Sequence, residues 1–196
     1  MRSALFVGWL ALASGVLYSA PPPVIVAFGD SLTAGFGVEP GQSWPDDLGR
    51  LIHQKVINAG VSGDTTTDGL NRLAEVVGYH PKIVVLEFGG NDGLRGLPLV
   101  TTRSNLEQLV VGLRKSGARV VLAGMTLPPN YGPDYIHGFE AIYRDLARKY
   151  KLPLIPFLLE GVALKPGMMQ RDGIHPTAAG HEIVARTVLR YLKPLL

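Results

Sequence analysis

Two patterns of apolar and polar positions alternate along the chain from residue 24 onward. Short apolar runs with little polar alternation are typical of strands that are buried on both faces of a parallel sheet. Five runs of this kind predict strands: VIVAF at 24–28, KVINAG at 55–60, KIVVLEFGG at 82–90, ARVVLAGM at 118–125 and LPLIPF at 152–157.

The stretches between these runs carry a helical period instead. In the segment 101–117, apolar residues recur at i, i+3, i+4 and i+7 from Leu106 onward, and Gly117 favours a helix end. Four further segments have helical character: 43–54, 65–80, 134–150 and 176–192. Strands that alternate with helices predict a three-layer α/β/α sandwich around a five-stranded parallel sheet.

The N-terminus follows neither pattern. A single Arg2 precedes an uncharged apolar run from Ala4 to Ala20, which is short for a membrane span of about 20 residues. The run fits the apolar region of a secretory signal, and the prolines at 21–23 mark its boundary. We therefore expect a signal peptide, or alternatively a membrane anchor, over 1–20 and one folded domain over 21–196. The protein is expected to be periplasmic or secreted, with a membrane-anchored state as the alternative.

Composition and charge narrow the function classes. The net charge is +3, and the basic residues are scattered singly without aromatic interleaving, which argues against a nucleic-acid partner. The absence of cysteine excludes disulfides, thiolate metal sites and a cysteine nucleophile. No cluster of His, Asp and Glu has the spacing of metal ligands, so we expect neither a metal nor a cofactor.

Polar and glycine-rich segments follow four of the predicted strands. They are the segments at 29–31, 60–64 and 89–92, and the Asp172-Gly-Ile-His175 segment beyond the fifth strand. Ligands of open parallel sheets bind at the carboxyl ends of the strands. These segments, far apart in sequence, are therefore expected to converge on one edge of the sheet.

The segment GDSLTAG at 29–35 permits three interpretations. A phosphate-binding loop is weakly supported, because neither G-x-x-x-x-G-K-[ST] nor G-x-G-x-x-G is present. A plain turn would use the same residue types. A nucleophilic Ser31 would need a base and a carboxylate that orients the base, and Asp172 and His175 lie three residues apart.

Acyl transfer also needs donors for the oxyanion. Gly63 can bring a bare N–H close to a substrate, and Asn91 carries a side-chain amide at the end of a strand, where Asn is uncommon. Asp64 and Asp92 are alternative acids in principle, but we expect them to hold their loops. His181, in the last helix, is expected to face solvent.

Together these segments resemble a known family. GDSLTAG, GVSGDTT, GGNDGLRG and DGIHP are similar to the four signature blocks of the SGNH (GDSL) hydrolases. Residues 24–196 resemble the bacterial thioesterase/protease/lysophospholipase group of that family, often called arylesterases. The resemblance implies a flavodoxin-like fold with Ser31 as nucleophile, His175 as general base and Asp172 orienting it. It also implies an oxyanion hole formed by the Ser31 and Gly63 N–H groups and the Asn91 side chain.

The resemblance further implies a serine esterase that hydrolyses carboxylic esters and thioesters through an acyl-enzyme on Ser31. The expected substrates are lysophospholipids, acyl thioesters and aryl esters, with transient contact to a membrane surface. Apolar residues at 94–99 and the LPPNYGPDY segment at 127–135 would line an acyl groove, or alternatively belong to the core and turns. The alternatives are a carbohydrate acetyl esterase of the same family and a flavodoxin-like binding module, which would not need His175.

Overall fold

The computed structural model describes residues 23–196, so the predicted leader over 1–20 lies outside the described residues. Its centre is a five-stranded sheet whose strands are all parallel and run in the order β2-β1-β3-β4-β5. The strands are Ile25–Gly29 (β1), Val56–Gly60 (β2), Ile83–Glu87 (β3), Arg119–Ala123 (β4) and Leu154–Ile155 (β5). The predicted α/β class and the parallel five-stranded sheet are confirmed.

Seven α-helices connect and cover the strands within the described residues. They are Ser31–Ala34 (α1), Trp44–Ile52 (α2), Thr66–Gly78 (α3), Gly90–Leu94 (α4), Leu99–Lys115 (α5), Pro133–Tyr150 (α6) and Ala178–Leu192 (α7). Helix α2 packs against α7, whereas α5 packs against α3 and α6. Right-handed crossovers in this strand order place these two groups on opposite faces of the sheet, which gives three layers.

The central strands form the core and fix where the polar segments lie. Every residue of β1 and of β3 is buried, as continuous apolar runs in a sheet covered on both faces require. In the strand register, Gly29 pairs with Gly60 of β2 and with Glu87 of β3, so the three strands end at one level. A Cβ on Gly60 would lie 2.2 Å from the Ala34 backbone N, so this glycine lets α1 pack against the end of β2.

Three local features differ from the sequence predictions. Helices α1 and α4 have only four and five residues and were not expected. Strand β5 has two residues, fewer than its apolar run suggested. The expectation that His181 faces solvent is wrong, because its side chain is fully buried. Its Nδ1 accepts a hydrogen bond from the Trp44 N–H at 3.2 Å, which satisfies a first-turn donor of α2 that has no partner within its own helix.

No helix between residues 23 and 196 is long and apolar enough to cross a membrane.

Candidate active site

Ser31 lies at the point where β1 turns into α1. Asp30 is the N-cap of α1, and its Oδ1 accepts a hydrogen bond from the Leu32 N–H at 3.0 Å. Gly35 ends this single turn in the left-handed conformation, with φ of 82°. Ser31 is therefore the first residue of a helix set on a buried strand, and only 9% of it is exposed.

A compact loop before α7 carries the other two members of the predicted triad. The Oδ1 of Asp172 accepts hydrogen bonds from the N–H groups of Ile174 at 3.0 Å and His175 at 3.1 Å. Gly173 between them has φ of 72°, a conformation that favours glycine. The turn leaves the other carboxylate oxygen, Oδ2, 2.7 Å from Nδ1 of His175.

The two regions meet through the imidazole ring of His175. Its Nε2 lies 2.9 Å from Oγ of Ser31, across 144 residues of sequence. Because the Asp172 carboxylate faces Nδ1, the neutral ring carries its proton there and leaves Nε2 free to accept the serine proton. The structure thus brings Ser31, His175 and Asp172 together in the order that activates a serine hydroxyl.

Gln170 fastens the loop of His175 to the loop that follows α1. Its Nε2 donates to the carbonyl oxygens of Phe36 at 2.7 Å and Pro176 at 2.8 Å. The Phe36 ring also packs on the imidazole of His175, with 4.6 Å between the ring centroids. The position of the imidazole is therefore limited on two sides.

The charge of Asp172 is favoured by the same contacts. Partial burial acts to raise the pKa of this carboxyl. The hydrogen bonds from the His175 ring and from the N–H groups of Ile174 and His175 outweigh burial and lower the pKa below its ordinary value. Asp172 is thus ionised near neutral pH and can stabilise an imidazolium on His175.

Two backbone donors lie free near the serine hydroxyl. Among the hydrogen bonds of residues 23–196, neither the Ser31 N–H nor the Gly63 N–H has a protein acceptor. Both residues line one groove together with His175. Gly63 has φ of 87°, and its carbonyl oxygen accepts a hydrogen bond from Nη2 of Arg95 at 2.9 Å, which fixes the peptide unit.

Asn91 lies in the first turn of α4 and lines the same groove. Its Nδ2 is 2.9 Å from the Asp64 carbonyl oxygen and 3.1 Å from Oδ2 of Asp30. Both amide hydrogens therefore have protein acceptors, and an oxyanion would have to share Nδ2 with Asp30. Burial raises the pKa of Asp30 to about 6, which weakens that carboxyl as a competing anion under mildly acidic conditions.

The two alternative acids are occupied elsewhere. Oδ2 of Asp64 accepts a hydrogen bond from Nε of Arg72 at 2.8 Å, and Oδ2 of Asp92 accepts one from the Thr66 N–H at 2.9 Å. Asp64 thus joins its own loop to α3, as expected from the sequence, whereas Asp92 lies in α4 and binds the start of α3 instead of its own loop.

Sequence reasoning missed three residues that support the site. Gln170 and Phe36 contact the loop of His175, and Glu87 accepts a hydrogen bond from the Asp30 N–H beside Ser31. Glu87 carried a detectable signal, because it is a lone carboxyl in an otherwise apolar strand. Gln170 and Phe36 gave none, since their contacts join loops that are distant in sequence.

The groove beside Ser31 has a volume of about 440 Å³ and is mostly apolar. Its apolar lining includes Leu94, Met125, Leu127, Phe157, Leu159 and Met169. The expectation for the two candidate segments therefore holds in part. Leu94 and residues 127–129 line the groove, whereas residues 97–99 and 130–135 do not.

The sequence profile of the GDSL-like lipase/acylhydrolase family matches residues 27–183. The chain belongs to this family. Esterase TesA of Pseudomonas aeruginosa is 42% identical over the full length of both chains. Thioesterase 1/protease 1/lysophospholipase L1 of Escherichia coli is 39% identical, over 91% of this chain and 87% of that protein.

A solved structure supports the same GDSL-like assignment. The crystal structure of TesA matches with a TM-score of 0.85 at 42% identity, covering 88% of this chain and 99% of that one. The resemblance inferred from the four sequence blocks is thereby confirmed at the level of family and fold.

Proposed function

We propose that this GDSL-family protein is a serine esterase that hydrolyses carboxylic esters and thioesters through an acyl-enzyme on Ser31. One observation carries the proposal. The hydrogen-bonded series Asp172–His175–Ser31, with contacts of 2.7 and 2.9 Å, opens onto an apolar groove beside two free N–H groups. The names of the relatives, esterase and thioesterase/lysophospholipase, support the same reaction class.

The first half of the reaction forms the acyl-enzyme. Oγ of Ser31 attacks the substrate carbonyl carbon while Nε2 of His175 takes the hydroxyl proton. The oxyanion accepts hydrogen bonds from the N–H groups of Ser31 and Gly63 and from Nδ2 of Asn91. When the intermediate collapses, the imidazolium gives its proton to the leaving alkoxide or thiolate, and Asp172 stabilises the transient charge.

The second half releases the acid. Water takes the place of the leaving group, His175 removes its proton, and the hydroxide equivalent attacks the acyl carbon. Collapse of this second intermediate breaks the bond to Oγ, and the proton on His175 returns to Ser31.

The variants Ser31→Ala and His175→Ala test the mechanism directly. With p-nitrophenyl acyl esters, each is expected to lower kcat by about 10⁴-fold or more. Ser104→Ala, an exposed serine on α5, is the matched control and is expected to keep the full rate. Unchanged rates in either active-site variant would contradict the mechanism. Absence of labelling by a fluorophosphonate would instead favour the flavodoxin-like binding module.

The groove supports medium or long acyl chains as substrates. A 440 Å³ apolar groove gains binding energy with each methylene it covers, whereas an acetyl group would leave it empty. Lysophospholipids, long-chain acyl thioesters and aryl esters of such acids fit this description. In a series of p-nitrophenyl esters from C2 to C16, kcat/KM is expected to rise to a medium or long chain. A sharp preference for acetyl would favour the carbohydrate acetyl esterase instead.

A membrane surface is the proposed source of lipid substrates. Three apolar side chains of the groove lining are solvent-exposed: Phe36 at 48%, Ile174 at 41% and Leu164 at 100%. The exposed basic residue Lys165 follows Leu164 directly, and the exposed Arg171 lies three residues before Ile174. Cosedimentation with anionic phosphatidylglycerol vesicles is expected and should weaken in Leu164→Ser. Equal cosedimentation of that variant would argue against the rim.

Export through residues 1–20 completes the proposal. The apolar run after Arg2 has the length and the flanking residues of a secretory signal. Sequencing the N-terminus of the protein recovered from the periplasm or the medium distinguishes a cleaved signal from an intact anchor. Full-length protein found only in the cytoplasm would contradict export.

A further inference from the structure

We propose that Glu87 is a positioning residue that, as a neutral carboxylic acid, holds the turn carrying Ser31 from inside the sheet. Glu87 is the last residue of β3 and is fully buried next to the end of β1. It touches neither the substrate groove nor the triad. The catalytic consequence of this role rests on the proposed function of Ser31.

One carboxyl oxygen of Glu87 binds both ends of the nucleophile turn. Oε2 accepts the Asp30 N–H at 3.1 Å and the Thr33 hydroxyl at 2.8 Å. These donors lie on either side of Ser31 in the chain. A single acceptor that is fixed by a central strand therefore sets the height and the direction of the first turn of α1.

The turn approaches this carboxyl so closely that Gly29, the last residue of β1, must lack a side chain. A Cβ on Gly29 would lie 2.4 Å from Oε2 of Glu87 and 2.3 Å from Oγ1 of Thr33. Gly29 has no positive φ, so glycine is required at this position by the close approach and not by the backbone conformation. The sequence Gly-Asp-Ser thus admits Glu87 directly under the turn.

The surroundings of Glu87 favour the neutral acid. Burial, and secondly the nearby Asp30 carboxyl, raise its pKa well above the ordinary value. Among the described residues it forms no ion pair, and Oε1 has no hydrogen-bond partner. Tyr143, which also lies close by, supplies no positive charge. The Arg72 guanidinium at the end of β1 binds the Gly29 carbonyl oxygen and the Asp64 carboxylate. An unpartnered oxygen in an apolar interior is far less costly on an acid than on a carboxylate.

Asp30 connects Glu87 to Asn91, one of the proposed oxyanion donors. Glu87 holds the Asp30 N–H, and Oδ2 of Asp30 lies 3.1 Å from Nδ2 of Asn91. Loosening Glu87 would displace both the hydroxyl of Ser31 and the amide of Asn91, whereas the apolar lining from other elements, such as Met125, Leu127 and Phe157, would stay in place. The expected signature is therefore a fall in kcat with little change in KM.

The experiment compares Glu87→Gln, Glu87→Leu and Thr33→Val in the full-length protein, using a p-nitrophenyl ester of a medium-chain acid. Gln keeps a carbonyl oxygen for both donors and is expected to retain kcat within about 3-fold. Leu removes the acceptor and is expected to lower kcat by about 10- to 100-fold at unchanged KM. Thr33→Val removes one of the two donors and is expected to give a smaller loss, about 3- to 10-fold.

Leu113→Ala is the control for general destabilisation. Leu113 is fully buried near the end of α5, just before β4 begins, and so lies at the opposite edge of the sheet from Ser31. This variant is expected to lower the melting temperature and to leave kcat at the wild-type value. Hydrogen exchange at residues 30–34 should rise in Glu87→Leu and stay at the wild-type rate in Glu87→Gln and Leu113→Ala.

The outcomes separate the two proposals. Wild-type kcat in folded Glu87→Leu overturns positioning, and so does a loss that appears in KM. If Glu87→Leu does not fold, wild-type kcat in Thr33→Val overturns it. A loss in Glu87→Gln equal to that in Glu87→Leu overturns the neutral acid. Failure of the esterase mechanism appears separately, as activity in Ser31→Ala. Hydrogen exchange tests the hold on the turn whether or not the protein hydrolyses the ester.

Discussion

Ser31 and His175 approach within 2.9 Å, yet they come from regions of contrasting construction. Ser31 follows a strand whose five residues are all buried, and its turn is capped by Asp30. The loop of His175 lies between β5 and α7, on a stretch where residues 171–174 are exposed. Leu164, Gly167 and Gly173 on this stretch all have positive φ.

The contrast shows two ways of fixing a reactive group. The position of Ser31 is fixed by the end of a buried strand, so Ser31 cannot move unless the core strands also move. The base depends on a few hydrogen bonds within and around an exposed loop, and segments of this kind open at a lower free energy than core strands. Variants that weaken each region should therefore fail differently, and the predictions below test that difference.

Among variants that keep both Ser31 and His175, Asp172→Asn should produce the largest loss of kcat. The Asn oxygen can still accept the N–H groups of Ile174 and His175, so the turn is expected to keep its shape. The Asn amide would face Nδ1 and favour the wrong tautomer of the imidazole, so kcat should fall by about 10³- to 10⁴-fold. Steady-state kinetics with a p-nitrophenyl ester measures this loss. Asp134→Asn, at an exposed position in α6, is the control, and a loss under 10-fold would contradict the role of Asp172.

Asn91→Ala should produce the next largest loss, on the side of the sheet. It removes the side-chain donor and leaves the free N–H groups of Ser31 and Gly63, so kcat should fall by about 100- to 1000-fold. KM should change little, because the apolar groove remains. Asn71→Ala, at an exposed position on α3, is the matched control. A kcat equal to that of the wild type would remove Asn91 from the oxyanion hole.

Gln170→Met should produce a smaller loss of activity, and it should loosen only the loop of His175. Met has a similar length but cannot donate to the carbonyl oxygens of Phe36 and Pro176, so the imidazole loses one of its two restraints. We expect kcat/KM to fall by about 10-fold. Hydrogen exchange should rise at 170–176 and stay unchanged at 30–34. Gln108→Met on α5 is the control, and faster exchange at both segments would contradict the independence of the two regions.

The same contrast explains what the sequence could predict. The strands and long helices were predictable because each has its own residue pattern, a continuous apolar run in β3 and a helical period in α5. The convergence of Ser31, Gly63, Asn91 and His175 was predictable because each follows a parallel strand, and such strands end on one edge of the sheet. Helices α1 and α4 were not predictable, since four or five residues are too few to display a helical period.

Contacts between residues that are distant in sequence could not be predicted for a different reason. Gln170 binds a carbonyl oxygen 134 residues away, and a backbone acceptor leaves no trace in the residue pattern. Glu87 accepts a hydrogen bond from Thr33 across 54 residues, and the type of neither residue indicates which partner it has. The burial of His181 could not be predicted because the pattern of α7 does not show which donor the neighbouring helix α2 presents to it.

His181→Asn should give the smallest effect, a change in stability that tests how His181 joins α7, the helix after the loop of His175, to the start of α2. Burial lowers the pKa of His181 from 6.5 to about 4, and the charge of His175 acts in the same direction. The nearby Asp46 carboxylate opposes this shift. The unfolded chain then binds the proton more tightly than the folded one. The wild type therefore loses up to about 3 kcal/mol of stability as the pH falls from about 6.5 to 4. Asp30 and Glu87 have the opposite effect. Their pKa values are raised in the folded protein, so the folded chain binds protons more tightly than the unfolded one and gains stability as the pH falls.

A comparison between variants isolates the histidine from those carboxyls. Asn can present its oxygen to the Trp44 N–H without taking up a proton, so Asn should cost stability at pH 7 through imperfect packing. Denaturant unfolding at pH 7, 5.5 and 4.5 should show the difference from the wild type shrinking toward acid pH. A difference that stays constant over this range would mean that His181 is already hydrated in the folded protein, and that the anchor of α7 does not depend on a neutral imidazole.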